Sequence, residues 1–141
     1  MLGTTHLLFS LFLGSFLFDY VQPSSLGSKI IFAALLLIGT FMPDLDLKIK
    51  SLKHRGILHT IWPILVIAII NALLIKFSIY TVIALAIGYG SHLIADALTP
   101  FGVAPLYPLY GKRIRGPVET GTITEFGVAA VIMALLLIRG I

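Results

Sequence analysis

The stretch HLIAD, residues 92 to 96, puts a histidine and an aspartate four residues apart at the end of one of the most apolar segments of the chain. On a helix that spacing places both side chains on one face about one turn apart, so an imidazole and a carboxylate reach the same cation. HRGILH, residues 54 to 59, spaces its two histidines by five, about 140° around a helix, so a continuous helix cannot aim both at one ion. Gly56 marks a break between them. It leaves His59 inside a helix as a ligand and His54 in the loop as a supporting group, a substrate contact or a surface residue. In PDLD, residues 43 to 46, the proline ends a helix and the two aspartates need not face the same way. Asp44, beside the helix end, is the expected ligand; Asp46 bridges, orients a histidine or acts as a base. His6 near the start of the chain joins the set, which becomes His6, Asp44, His59, His92 and Asp96. Glu125 is a further base or ligand, or a residue that favours the positive end of its own helix. With no cysteine in the chain, any metal rests on imidazole and carboxylate, which suits zinc, manganese or ferrous iron better than calcium. These groups exceed what one tetrahedral zinc needs, which allows either one ion or two.

Such groups must be positioned by apolar elements. The 141 residues are 58% hydrophobic with a mean hydropathy of +1.05, well above the roughly 45 to 50% apolar content of soluble domains. The apolar residues come in runs rather than in alternation, which predicts helices and excludes a barrel. The expected fold is all-α: a single domain over 1–141, an integral membrane bundle of about five transmembrane helices at 3–21, 28–43, 57–76, 78–98 and 122–139. The second is short for a span. MLGTTH has no basic n-region and no small-residue cleavage site follows Phe18, so the first segment reads as a spanning helix rather than a signal peptide. Ala84 and Gly88, and offset from them Ala86 and Gly90, are small residues at spacing four that let a neighbouring backbone approach.

Five spans put the connections 44–56 and 99–121 on one side. They carry Lys48, Lys50, Lys53, Arg55, Lys112, Arg113 and Arg115, seven basic residues against Lys29, Lys76 and Arg139 on the other. The positive-inside rule then places those loops and the N-terminus in the cytoplasm, in the cytoplasmic membrane of a prokaryote, with the C-terminus outside. Every histidine and five of the six acidic residues fall at the cytoplasmic ends of these spans, Asp19 alone lying at the other. Ionisable groups in spanning segments mark function by default. The basic residues orient the chain first; Arg55, with His54, Lys112, Arg113 and Arg115, also forms the candidate set for an anionic substrate group. They are too few, and lack the surrounding motif, for nucleic acid. Trp62 and Tyr107 or Tyr110 read as interfacial anchors. The oligomeric state has no signature here.

The ordered set His6, PDLD at 43–46, HRGILHT at 54–60, SHLIADALTPFG at 91–102 and TGTITE at 120–125 resembles the YdjM-like family of membrane-bound, metal-dependent hydrolases, across nearly the whole chain. That resemblance implies a metal hydrolase with no defined substrate. A more distant likeness is to zinc-dependent phospholipases C, whose ordered His, Asp, His and HxxxD groups hold a zinc cluster. It implies one metal on Asp44, His59, His92 and Asp96, and a second on His6 and a bridging Asp96. Those enzymes carry further histidines after HxxxD, and this chain has none after His92, so a third ion is not implied unless Glu125 substitutes.

The expected function is a metal-dependent hydrolase acting at the cytoplasmic face on a membrane lipid, at a phosphoester. Asp46 or Glu125 takes a proton or orients water, and the basic residues hold the headgroup. The alternatives are a divalent-cation or proton transporter and a non-catalytic, metal-stabilised scaffold. A transporter site is expected near the bilayer midplane between repeated halves, whereas these groups gather at one end and no repeat is visible.

Overall fold

A computed structural model describes residues 1–47, 55–75 and 79–140. Among them the chain is helical: α1 (Gly3–Val21), α2 (Leu26–Phe41), α3 (Trp62–Ile70), α4 (Ile79–Ala97) and α5 (Ile123–Ile138), with short 3₁₀ turns at Pro43–Leu47 and Ile57–His59. One isolated antiparallel bridge, Val103 with Ile114, pins the connection between α4 and α5. His54, like Lys48, Lys50, Lys53 and Lys76 from the orientation argument, lies outside the described residues.

Local chemistry accounts for most boundaries. α2 begins at a reciprocal capping box, in which the Ser25 hydroxyl accepts from the Ser28 N–H and the Ser28 hydroxyl accepts from the Ser25 N–H, satisfying donors that a helix start leaves unpaired. It stops before Pro43, whose 3₁₀ turn carries both aspartates. The third helix starts at Trp62 and not at 57. Gly56 and a proline at the helix start separate it from His59, which sits in its own turn. After Ile70 the helix widens into a π-helical turn, Asn71–Ile75.

α1 and α4, each 19 residues and apolar, measure about 28 Å at 1.5 Å per residue, close to the thickness of a hydrocarbon core of about 30 Å. The segments Leu26–Phe41, Trp62–Leu73 and Ile123–Ile138 are apolar but shorter.

α4 is the central element, packed against α1 and α2, with α5 against α1. The α2–α4 crossing is set by two glycines. A Cβ on Gly39 would stand 2.1 Å from the Leu85 carbonyl oxygen, and one on Gly88 would stand 2.0 Å from that of Leu36. Ala84 is fully buried, whereas a Cβ on Gly90 would meet nothing within 4 Å, so only part of the expected small-residue stripe packs. At the far end of α1, Asp19 pairs with Arg139, whose guanidinium also lies over the Phe16 ring.

The distribution of polarity is inverted relative to a soluble domain. Buried residues include Thr5, His6, Ser10, Thr40, Asp46, His59, Ser91, His92, Asp96, Thr99 and Glu125, while Ile30, Ile38, Phe126, Leu137 and Ile138 are exposed. Water would penalise that exterior heavily; lipid tails would not.

A candidate metal centre

His92 and Asp96 reach the site from the last two turns of α4, as their spacing requires, and both are buried. The Pro43–Leu47 turn supplies Asp44, and the Ile57–His59 turn supplies His59. Tyr89 positions the second turn: its hydroxyl proton is shared between the carbonyls of Leu58 at 2.6 Å and Thr60 at 2.7 Å.

Four side-chain atoms converge. His59 Nε2 lies 3.7 Å from Asp44 Oδ1 and 3.5 Å from Asp96 Oδ2; His92 Nε2 lies 3.5 Å from Asp44 Oδ1 and 3.8 Å from Asp96 Oδ2. These separations are too long for good hydrogen bonds, and the buried His92 Nε2 makes none. They are close to the edge of a tetrahedron around a divalent ion, about 3.3 Å for metal–ligand bonds of about 2.0–2.1 Å. Asp44, His59 and His92 form one group with metal-ligand spacing, and Asp96 Oδ2 lies within 3.8 Å of both imidazole nitrogens. The donor set therefore fits a metal.

The opposite edge of His59 strengthens the fit. Its Nδ1 lies 3.2 Å from Asp46 Oδ2, which also accepts the Arg55 backbone N–H at 3.0 Å. A carboxylate beside the outer nitrogen of an imidazole is the arrangement that fixes ring orientation in metal sites. Asp46 stands where the orienting role, one of the three open to it from sequence, would place it. Arg55 adopts a left-handed φ of 57° to deliver that N–H.

His6 stacks on the His92 ring, with centroids 3.8 Å apart and planes within 6°. Its Nε2 is 3.4 Å from Asp96 Oδ1, the oxygen that faces away from the four converging atoms. His6, His92 and Asp96 form a second group with metal-ligand spacing. That same Oδ1 accepts from Arg55 Nη2 at 2.9 Å and from the Met1 amino group at 3.0 Å. The guanidinium also donates to Thr99 Oγ1 at 3.0 Å. Arg55 is therefore occupied in bracing Asp96.

Glu125 stands apart. Both carboxylate oxygens are engaged by backbone N–H groups, Oε1 by Leu2 at 2.6 Å and Oε2 by Gly121 at 2.7 Å, and it belongs to neither group with metal-ligand spacing among the described residues. Its contacts fasten the N-terminal segment to the start of α5.

Two cavities share Arg55 and Arg113 as walls. One, of about 320 Å³, reaches Asp46 and is bounded also by Tyr107; the other, of about 590 Å³, is lined by Phe101, Arg115 and Thr120 among others. Arg113 donates to the carbonyls of Phe101 at 3.2 Å and Gly102 at 3.3 Å, and Lys112 is exposed. Asp44, with 31% of its side chain exposed, is the member of the converging set nearest solvent.

Sequence reasoning passed over Tyr89 and Thr99. Thr99 follows Asp96 by three positions and donates to its carbonyl at 2.8 Å, a local signal available in DALT. Tyr89 acts across the fold, and no local pattern announces it.

The profile of a family described as YdjM inner membrane protein matches residues 1–140. Two proteins of Methanothermobacter thermautotrophicus, described as uncharacterized proteins ORF4' and ORF4, are each 28% identical over 93 residues. The match covers 60% of this chain and 38% of each of theirs, so the chain spans well under half the length of these relatives. No solved structure matches.

Proposed function

The chain belongs to the YdjM inner membrane protein family, and from that premise we propose that it is a five-helix membrane bundle acting as a metal-dependent hydrolase on a lipid phosphoester at the cytoplasmic face. The observation that carries this reading is the convergence of His59 Nε2, His92 Nε2, Asp44 Oδ1 and Asp96 Oδ2 at separations of 3.5–3.8 Å. Zinc suits the set best, with manganese or iron as alternatives. One ion is favoured over two, because the guanidinium of Arg55 already holds the outer oxygen of Asp96 at 2.9 Å, where a second cation would face it.

A divalent ion bound there would acidify water and polarise a phosphoryl oxygen. The protein's own part begins with orientation. Asp46 keeps His59 turned inward, Arg55 keeps Asp96 turned so that one oxygen faces the site, and His6 supports the His92 ring by stacking. Asp44 marks the side from which water and substrate arrive, since it alone of the four has appreciable exposure. Arg113 and Arg115 wall the adjoining cavity with positive charge that suits an anionic headgroup.

The test is metal analysis of the purified protein beside His92→Ala, followed by assays of metal-free and metal-loaded protein on phosphatidate, phospholipid and amide substrates. The expected outcome is about one ion per chain, lost in the variant, with phosphoester cleavage only in the loaded form. Equal behaviour of the two forms on every substrate would remove the catalytic reading.

A further inference from the structure

The connection between α4 and α5 combines two properties that neither water nor hydrocarbon suits. Phe101, Leu106, Tyr107, Leu109, Tyr110 and Ile114 are all exposed, Leu109 by 80% and Phe101 by 73%. A loop bathed in water would not hold so many large apolar side chains outward. Yet Lys112, Arg113 and Arg115 lie among them, and no acidic residue occurs between Asp96 and Glu119. Those charges exclude the hydrocarbon core. Aromatic and aliphatic side chains interleaved with Lys and Arg belong at the boundary of headgroups and acyl chains.

The backbone is built for that boundary. Val103 and Ile114 exchange both hydrogen bonds, at 3.1 and 2.8 Å, and Ile61 N–H donates to the Pro105 carbonyl at 2.9 Å. Pro100, Pro105, Pro108 and Pro117 carry no N–H, so they leave no donor to be satisfied where water is scarce. Trp62 Nε1 donates to the Tyr107 carbonyl at 2.7 Å and fastens the loop to α3. Beneath this surface Arg113 and Arg115 line the 590 Å³ cavity.

We propose that residues 101–115 form an interfacial loop that binds an anionic phospholipid, its phosphate on Arg113 and Arg115 and its chains along the exposed apolar residues. The inference rests on the membrane placement proposed above and is independent of turnover. It names the lipid class that reaches the cavity: one with net negative charge at the headgroup.

Trp62 is the chain's one tryptophan, so its fluorescence reports on the point where the start of α3 meets this loop at Tyr107. The experiment reconstitutes the full chain in nanodiscs of zwitterionic phosphatidylcholine containing equal mole fractions of either brominated phosphatidylglycerol or brominated phosphatidylcholine. Both lipids should quench Trp62, the anionic one with a relative binding constant about fivefold higher, the preference that a basic residue at the surface confers. Arg115→Gln, at an exposed position, should cut that preference while quenching by both lipids persists. Equal quenching by the two lipids in the wild type overturns the anionic selectivity, no quenching by either overturns the interfacial placement, and an unchanged preference in Arg115→Gln overturns the assignment of the phosphate. Metal content measured on the same nanodiscs reports separately on the hydrolase reading, so either can fail alone.

Discussion

Asp44 and Asp46 are two positions apart, and the 3₁₀ turn over Pro43–Leu47 sends them to opposite edges of one imidazole. Asp44 meets His59 Nε2 and Asp46 meets His59 Nδ1. A carboxylate on the outer nitrogen sets ring orientation and basicity without touching an ion, and its loss in metal sites costs about 10–100-fold in affinity. Asp46→Asn is therefore expected to lower zinc affinity by about that factor in a chelator competition, and Asp44→Asn by more. If Asp46→Asn binds zinc as tightly as the wild type, His59 is held by something else. At this scale HLIAD was legible because helix geometry alone fixes where i and i+4 point. For the two aspartates the sequence favoured Asp44 as the ligand but left three roles open for Asp46, because a 3₁₀ turn rotates successive residues differently from an α-helix. Arg55 shows another limit: its charge suggested a substrate anion, and local sequence could not show that its guanidinium also donates to Asp96, 41 positions away.

Among the elements, the α2–α4 pair and the turn bearing His59 decide whether the site assembles. Gly88→Ala would drive a methyl group to within 2.0 Å of the Leu36 carbonyl oxygen, backbone that yields only if the helices separate. We expect a loss of about 1–3 kcal/mol, read as earlier thermal unfolding in detergent, with Gly90→Ala close to neutral because open space surrounds it. Comparable losses in both variants would mean that something other than the α2–α4 approach is being measured, since helix propensity alone favours alanine over glycine. Tyr89→Phe removes the hydroxyl between the Leu58 and Thr60 carbonyls and leaves two buried acceptors, a cost of about 1–3 kcal/mol. Because that turn carries His59, zinc affinity should fall with it, whereas Gly90→Ala should leave affinity intact. The five helices were legible from apolar runs and from turn residues at 22–25, 43 and 99–102. The start of the third was not: apolar residues continue through Ile57 and Leu58, so hydropathy hides the break that Gly56 and Pro63 impose.

The whole molecule is a polar interior inside an apolar coat, and its central polar groups come from α1, the two 3₁₀ turns and α4. A cation shared by the last three would tie distant parts of the chain together. Metal binding to the folded state alone adds about 2.7 kcal/mol at a free concentration 100 times the dissociation constant. Stripping zinc with a chelator should accordingly lower the unfolding temperature of the wild type, and should hardly move that of His92→Ala. A wild-type protein indifferent to chelation would show that the bundle does not depend on the ion. The stack of His6 on His92 carries a different consequence, one of timing. His6 leaves the ribosome 86 residues ahead of its partner ring, counting from 6 to 92, and Asp96 follows four residues later still. Throughout synthesis of the intervening segments the first helix holds a histidine whose companions do not yet exist, and an ion held as proposed by His92 and Asp96 could join only when insertion is nearly finished. Metal loading then becomes a late step of biogenesis, and a chain stalled before His92 should remain empty.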